Sequence, residues 1–510
     1  MLSKINSVGL MGLDGFMVEV QTDISNGIPA FEMVGLPDMA VRESKERVRS
    51  AIRNSGYSIP AKRIILNLAP ANLRKEGPSY DLPIAVSVMN ASEMLAPFDY
   101  EKSIFIGELA LDGTVKPVTG VLPMVISAYN KGITDMYVPK DNAIEGAVVD
   151  GANIYPVGSL AEVVEHINNV KKIERVTVDK QSLFHADAGS LLDFCDVKGQ
   201  ENAKRALEIA ASGGHNIMLI GSPGTGKTML AQRLGTILPD MTFDEALEVT
   251  KIHSIAGVLP KDHPLITERP FRSPHHTISP SGLSGGGSIP RPGELSLAHH
   301  GVLFLDELPE FKREVLEVMR QPLEDGQVTI SRVNATLTYP CNIMLICSMN
   351  PCKCGFYGDS VHRCTCTPAQ VNQYRSRISG PLLDRVDIQI EVAAVNYDDL
   401  SSTEKGETSA QIKERVNRTR KIQLERYKEY NIYSNSQLTG GLIQKFCPLG
   451  KEENEILRNA FDNLGLSARA HSRILKVART IADIEMSERI TSAHIAEAIQ
   501  YRSLDRKFFE

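Results

Sequence analysis

Residues 221–228 read Gly-Ser-Pro-Gly-Thr-Gly-Lys-Thr, a full match to the pattern G-x-x-x-x-G-K-[ST]. The pattern limits the fold strongly. Its glycines let backbone N–H groups curl around phosphate oxygens, and this works only where a buried strand delivers the loop and a helix begins at its end. Both flanks are present. HNIMLIG reads as an apolar strand ending at Ile220, and TMLAQRLGTIL reads as a helix starting near Lys227. Gly221, Ser222, Pro223, Gly224, Thr225 and Gly226 are therefore expected to line a nucleotide phosphate site. Lys227 supplies a cation for the β/γ-phosphates of ATP, and Thr228 a hydroxyl for Mg²⁺.

Two further apolar runs read as buried strands of the same sheet. GVLFLDE ends in Asp306 and Glu307, and NIMLICSMN ends at Asn350. Short apolar strands alternating with helices predict a parallel α/β sheet. At such strand ends Asp306 can hold the Mg²⁺ water shell, Glu307 can deprotonate the attacking water, and Asn350 can sense the γ-phosphate. The long segment between Thr228 and Asp306 must be insertions or loops around the site.

At 510 residues the chain is long enough for about three domains. Residues 1–170 mix strand-like runs with helices in an α+β pattern, 171–190 are polar and read as a linker, 191–395 form the α/β core, and 396–510 are helical. No apolar run approaches the length of a membrane helix, and the N-terminus lacks the layout of a signal peptide, so a cytosolic protein without membrane contact is expected. A net charge of −6 means that any grip on nucleic acid must come from a local basic patch.

Four of the eight cysteines are Cys352, Cys354, Cys364 and Cys366, in the pattern C-x-C, nine residues, C-x-C. Two thiolate pairs on opposite arms of a loop can make a tetrahedral zinc site, with His362 a spare ligand; free loop thiols and an iron–sulfur cluster are the alternatives. Cys341 and Cys347 are expected in the core. The pairs His275–His276 and His299–His300 read as packing residues near the phosphate site rather than as a second metal site. GQVTISRVNATLTYP predicts a hairpin turning near Val333–Asn334, with Arg332 near its tip. Arg415, Arg418, Arg420, Lys421 and Arg426 make a basic helix that reads as a solvated face interleaved with Glu414 and Glu425.

The phosphate loop, the Asp-Glu strand end, the strand-end Asn, LLDRVD and a helical lid together resemble an AAA+ ATPase. FRSPHHTISPSGLSGGG, RPGELSLAHHGVLFLDELPEF and SRISGPLLDRVD are similar to its magnesium-chelatase-type branch. More closely, nearly the whole chain resembles the ComM/YifB family of Mg-chelatase-like ATPases. That resemblance implies a homo-hexameric ring with ATP between subunits. Arg385 is its arginine finger, and Arg469 its lid arginine reporting nucleotide state, with Arg473 the runner-up. It also implies DNA branch migration in uptake and recombination, with single-stranded or branched DNA and recombination proteins as partners. EGPSYDLPIAV and IGELALDGTVKPVTGV resemble the Lon-type peptidase domain. Ser79 stands in the nucleophile's place, but Leu122 stands where the family has its lysine base, and neither Lys75 nor Lys116 matches that position. A peptidase-like scaffold without peptidase activity is expected. The alternative for the whole chain is the ATPase subunit of a magnesium-chelatase-like metal-insertion complex, against which the N-terminal domain argues.

Overall fold

The computed structural model describes residues 2–179, 183–184, 192–260, 263–287, 290–332, 335–359, 362–396, 406–430, 432–464 and 466–504. Residues 180–182 and 185–190 of the expected linker, and the turn at Val333–Asn334, lie outside these residues. The chain forms two compact units: residues 1–187 with 243–267, and residues 188–242 with 268–510.

The first unit carries β1 (Leu2–Met11), β2 (Asp14–Ser25), β3 (Ala30–Val34), α1 (Met39–Asn54), β4 (Arg63–Ala69), α2 (Asp81–Ala91), β5 (Ser103–Phe105), the short pair β6 (Glu108–Leu109) and β7 (Val115–Lys116), α3 (Val121–Tyr129), β8 (Asp135–Pro139), α4 (Ala143–Ala147), β9 (Asn153–Val157) and α5 (Leu160–Ile167). Seven strands form one mixed sheet in the order β3-β4-β2-β1-β5-β8-β9. Its centre is the long antiparallel pair β1–β2, in register from Leu2–Asp23 to Met11–Asp14. Asp38 caps α1 by accepting from the Val41 N–H at 2.7 Å, satisfying one of the free donors of the first turn. Helix α2 is buried along almost its whole length and forms, with the faces of β1 and β2, the main core of this unit.

The second unit opens with α6 (Glu201–Gly213), β10 (Ile217–Ile220) and α7 (Lys227–Ile237). The next helix, α8 (Phe243–Ala256), belongs to the first unit, where it packs on α3. The second unit resumes with β11 (Phe271–Arg272), the pair β12 (Gly285–Gly286) and β13 (Arg291–Pro292), β14 (Val302–Leu305), the hairpin β15 (Gln327–Arg332) and β16 (Ala335–Pro340), β17 (Met344–Met349), α9 (Pro368–Arg375), β18 (Ile388–Glu391), α10 (Ser409–Tyr427), α11 (Gly440–Phe446), α12 (Lys451–Leu464), α13 (Ala468–Ile484) and α14 (Ser492–Gln500).

Five parallel strands in the order β11-β14-β17-β10-β18 make its sheet. β10, β14 and β17 are buried at every residue, as strands covered by helices on both faces must be. Because β17 lies between β10 and β14, the loop after β10, Asn350 after β17, and Asp306–Glu307 after β14 emerge side by side at one sheet edge, at strand spacings of about 4.8 Å. At the other edge Asn216 staples three strands. Its Nδ2 donates to the Arg385 carbonyl, its Oδ1 accepts from Leu345 N (both 2.8 Å), and its N–H donates to Asp387.

The C-terminal helices share one core with this sheet, running from Phe194 to Tyr501. A capping box of Thr408 with Gln411 starts α10, which packs on α6 and α7. The basic residues of α10 do not form a simple solvated face. Arg426 makes a bidentate pair with the buried Asp483 at 2.6 and 2.8 Å, and Arg415 bonds Glu208 at 2.5 Å and also Glu407. Among the described residues no helix is long and apolar enough to cross a membrane.

Candidate active site

Gly224 and Gly226 both hold left-handed backbone, with φ of 82° and 86°, which lets the chain turn tightly between β10 and α7. Nothing lies within 4 Å of where a Cβ at Gly224 would stand, so the loop offers open space. Lys227 is buried at the start of α7, and its Nζ donates to the carbonyls of Gly221 (2.8 Å) and Ser222 (2.9 Å) and to Asn350 Oδ1 (3.2 Å). Desolvation pushes its pKa down, and the charges of Asp306 and Glu307 partly offset that. An ammonium met only by neutral oxygens in a partly dehydrated hollow suits an incoming polyanion.

Thr228 Oγ1 donates to Asp306 Oδ2 at 2.8 Å, which brings together two hard oxygens of the kind Mg²⁺ takes. The other Asp306 oxygen accepts from the Ser348 hydroxyl, which in turn accepts from the Glu307 N–H at 3.1 Å. Glu307 stands at φ 54°, a left-handed turn that lifts its carboxylate out of the strand into an exposed position. The residues therefore fit a Mg·nucleotide: a cation and N–H cradle for phosphates, two metal oxygens, a polar strand-end amide and an exposed carboxylate.

Ser348 and Gln200 are partners that motif reasoning passes over. Ser348 is on β17 two residues before Asn350, which directly follows the strand, so a strand period of two already placed them on one side. Gln200, at φ 62°, donates to the carbonyls of Thr225 (3.3 Å) and Ala393 (2.6 Å) and ties the phosphate loop to the chain after β18.

Arg385 and Arg469 do not join this cluster. The Arg385 carbonyl is bound to Asn216, at the start of β10, whereas the phosphate loop leaves its end; four residues of strand separate the two by roughly 13 Å. The Arg385 guanidinium donates to the Pro381 carbonyl at 2.6 Å and to Glu324. Arg469 is exposed and bonds Asp384 at 3.3 Å, next to Arg385. Arg473 pairs with Asp387 at 3.2 Å. Arg385, Arg469, Arg473 and Lys476 line one cavity of about 700 Å³ at this edge.

Of the two histidine pairs, His275–His276 follows β11 on the side where the strands end, with His276 against Phe311, whereas His299–His300 does not lie near the phosphate loop. His299 and His300 precede β14, at the edge opposite the loop: His299 Nδ1 accepts from Asn342 N at 3.0 Å, and His300 N–H donates to the Asn342 carbonyl. Their role there is to join the starts of β14 and β17. Cys347 is buried on β17, and Cys341 is buried just before it.

The Sγ atoms of Cys352, Cys354, Cys364 and Cys366 all lie within 4.8 Å of one another. The separations 352–354, 354–364 and 352–364 are 3.3, 3.5 and 3.7 Å. A tetrahedron of thiolates around zinc, with bonds near 2.3 Å, has edges of about 3.8 Å. His362 is 63% exposed and is held by Asp359 instead.

In the first unit Ser79 lies in a buried turn before α2. Leu122 is wholly buried, and its N–H donates to Glu145 Oε1 at 2.9 Å. Lys75 is also buried and donates to the carbonyls of Pro70 and Leu73.

The sheet order, the phosphate loop and the acidic strand end define a P-loop ATPase of the AAA+ class with a helical C-terminal part. Three family models match in register with this reading: "Magnesium chelatase, subunit ChlI" over residues 193–400, "Subunit ChlI of Mg-chelatase" over 20–142, and "Magnesium chelatase, subunit ChlI C-terminal" over 406–502. Competence protein ComM of Haemophilus influenzae is 44% identical over 507 residues, covering 99% of this chain and 98% of its own. YifB of Escherichia coli K12 is 44% identical over 509 residues with the same coverage, and Rv2897c of Mycobacterium tuberculosis is 39% identical over 503 residues, 98% of each chain. The chain belongs to the ComM/YifB family of Mg-chelatase-like AAA+ proteins.

Proposed function

We propose that this protein is a cytoplasmic, ATP-hydrolysing ring motor, a homo-hexamer that migrates branched or single-stranded DNA. The observation that carries the reading is the separation of the expected site residues between the two edges of one sheet. Lys227, Thr228, Asp306, Glu307 and Asn350 stand at the edge where the strands end. Arg385 and Arg469 stand where they begin, out of reach of their own phosphate loop and beside a cation-lined cavity. A second copy would bring the two edges together, and a closed ring repeats that contact without loose ends.

In that ring the phosphate loop and Lys227 bind the phosphates of ATP. Thr228 and Asp306 would hold Mg²⁺, which would supply positive charge to offset that of the phosphates. Glu307 takes the proton of the attacking water, and Asn350, already bonded to Lys227, orients the γ-phosphate. The neighbour's Arg385 stabilises the charge that develops on the transferred group, and the neighbour's Arg469 lies close enough to Arg385 to sense the same nucleotide.

The DNA reading follows the name of the Haemophilus relative, a competence protein, and a feature of this chain. The hairpin β15–β16 has six paired residues on each strand, with Arg332 exposed at the last pair before the turn. Such a hairpin can meet a backbone phosphate in a ring channel. The N-terminal unit is a peptidase-like scaffold, since the position that pattern gives to a lysine is the core residue Leu122. The four cysteines hold a structural zinc. ATPase activity should rise with single-stranded or branched DNA, and Arg332→Ala should weaken DNA binding and strand migration while basal ATPase survives. A protein whose ATPase ignores DNA at low salt, but responds to a porphyrin-bearing partner subunit, would replace this reading with the chelatase.

A further inference from the structure

The cysteine loop begins at Pro351, directly after Asn350, and it returns across the outside of the phosphate loop. Two contacts join them. The Ser222 hydroxyl donates to Asp359 Oδ2 at 2.6 Å. Gly355, at φ 90°, packs so closely on Pro223 that a Cβ there would stand 2.5 Å from the proline ring. Asp359 is well placed to hold: its side chain is 11% exposed, and its other oxygen accepts from the His362 N–H at 2.8 Å. Both contact residues lie inside the span closed by the four thiols, Gly355 next to Cys354 and Asp359 between the two C-x-C arms. The base of the loop is fixed from α9, where Arg375 donates to the Pro351 carbonyl at 3.1 Å and stacks over Tyr357 at 4.8 Å.

We propose that the four-cysteine loop is a metal-dependent clamp on the phosphate loop, with Asp359 as its positioning residue. This rests on the phosphate-loop reading above. A zinc-class ion bonded to all four sulfurs ties the two C-x-C arms to one point, whereas without it no covalent or metal bond joins one arm to the other. With a zinc-class ion bound, the two arms are fixed, Asp359 is held on Ser222, and Gly355 is held on Pro223. The tip of the phosphate loop is then pre-organised before nucleotide arrives. Without the ion, the arms separate, the clamp opens, and ordering the tip is charged against nucleotide binding. The metal thus acts on affinity and not on the chemical step, which Glu307 and the neighbouring subunit perform.

The test measures zinc content by elemental analysis and binding of a fluorescent ATP analogue with Mg²⁺, on the full-length chain. Wild type should carry about one zinc per chain. Asp359→Ala should keep the zinc yet weaken nucleotide binding roughly fivefold, with kcat at saturating ATP little changed. Asp359→Asn, which still offers Ser222 an acceptor, should restore most of the affinity, whereas Ser222→Ala should weaken nucleotide binding at least as much as Asp359→Ala, and adding Asp359→Ala to it should weaken binding no further. Cys352→Ser with Cys354→Ser should lose the zinc and bind nucleotide at least as weakly as Asp359→Ala. Wild-type affinity in Asp359→Ala, or in a folded zinc-free protein, overturns the clamp. Lys227→Ala separates the two readings: if it binds nucleotide as well as wild type, the phosphate-loop assignment itself has failed.

Discussion

Lys227 carries its charge at a cost. Burial lowers its pKa, and its ammonium is met by two backbone carbonyls and the Asn350 amide rather than by a carboxylate within bonding distance. Phosphate oxygens would supply the missing charge, so Lys227→Ala should abolish nucleotide binding rather than slow turnover, as equilibrium binding of labelled ATP would show. Glu307 differs in kind. It is exposed and turned out of the strand, and its N–H rather than its carboxylate is tied to Ser348. Glu307→Gln preserves shape and should therefore keep ATP affinity while stopping hydrolysis; single-turnover hydrolysis near the wild-type rate would remove Glu307 from the role of base. The placement of these residues was legible in sequence, because Glu307 follows a strand end of recognisable composition and Lys227 opens the helix that ends a Gly-rich loop. Asp359 was not legible, since its partner Ser222 is distant in sequence and nothing in a polar loop marks which carboxylate will face which hydroxyl.

At the scale of elements, helix α8 shows where reading a chain in order fails. Its sequence is helical, but the helix carries no mark of what it packs on, and it leaves the unit of the phosphate loop to join the N-terminal unit after only five residues, 238–242. Within that unit Glu145 of α4 fastens it. Glu145 accepts from Ser254 on α8, from the Leu122 N–H that opens α3, and from Asn142. Desolvation, the largest influence, raises the pKa of this buried carboxyl above its ordinary 4.5, although the three donors pull it down. A group raised in the folded state stabilises fully below its unfolded pKa, and that contribution is lost as pH rises through the folded value. Glu145→Gln keeps the shape and cannot ionise. It should match or fall below wild type near pH 4, but gain on it steadily as pH rises above about 4.5, as thermal melts across pH would record. A constant offset at every pH would mean that Glu145 does not titrate in this range. The basic helix α10 teaches the converse lesson. Its composition suggests a charged face, yet Arg415 and Arg426 are spent on Glu208, Glu407 and Asp483, partners contributed by other parts of the fold.

For the whole molecule, the proposed shared site turns on the sheet of the second unit, whose strand ends carry the phosphate loop, Asp306 and Glu307 and whose strand starts lie beside Arg385. Arg385 has Glu324 and the Pro381 carbonyl as its present partners, and the cavity beside it collects Arg469, Arg473 and Lys476. An isolated chain gains nothing catalytic from such a cluster, since a length of strand separates it from the phosphates it would serve. Arg385→Ala should accordingly leave ATP affinity of each subunit largely intact while cutting turnover by about 10³–10⁵, the range found when an arginine finger is absent. The decisive form of the experiment mixes two dead proteins. An Asp306→Asn subunit lacks a working nucleotide edge but keeps its Arg385; an Arg385→Ala subunit has the reverse defect. Where the two alternate in a ring, every interface that joins an intact nucleotide edge to an intact arginine edge is complete, and ATPase activity should reappear on mixing, rising to a maximum at comparable amounts of each. Recovery requires no change within either chain, so it depends only on contact between copies. Activity that stays at the level of the separate variants at every ratio, with mixed assemblies demonstrated by size and composition, would show that Arg385 serves its own chain's fold and that the site is not shared.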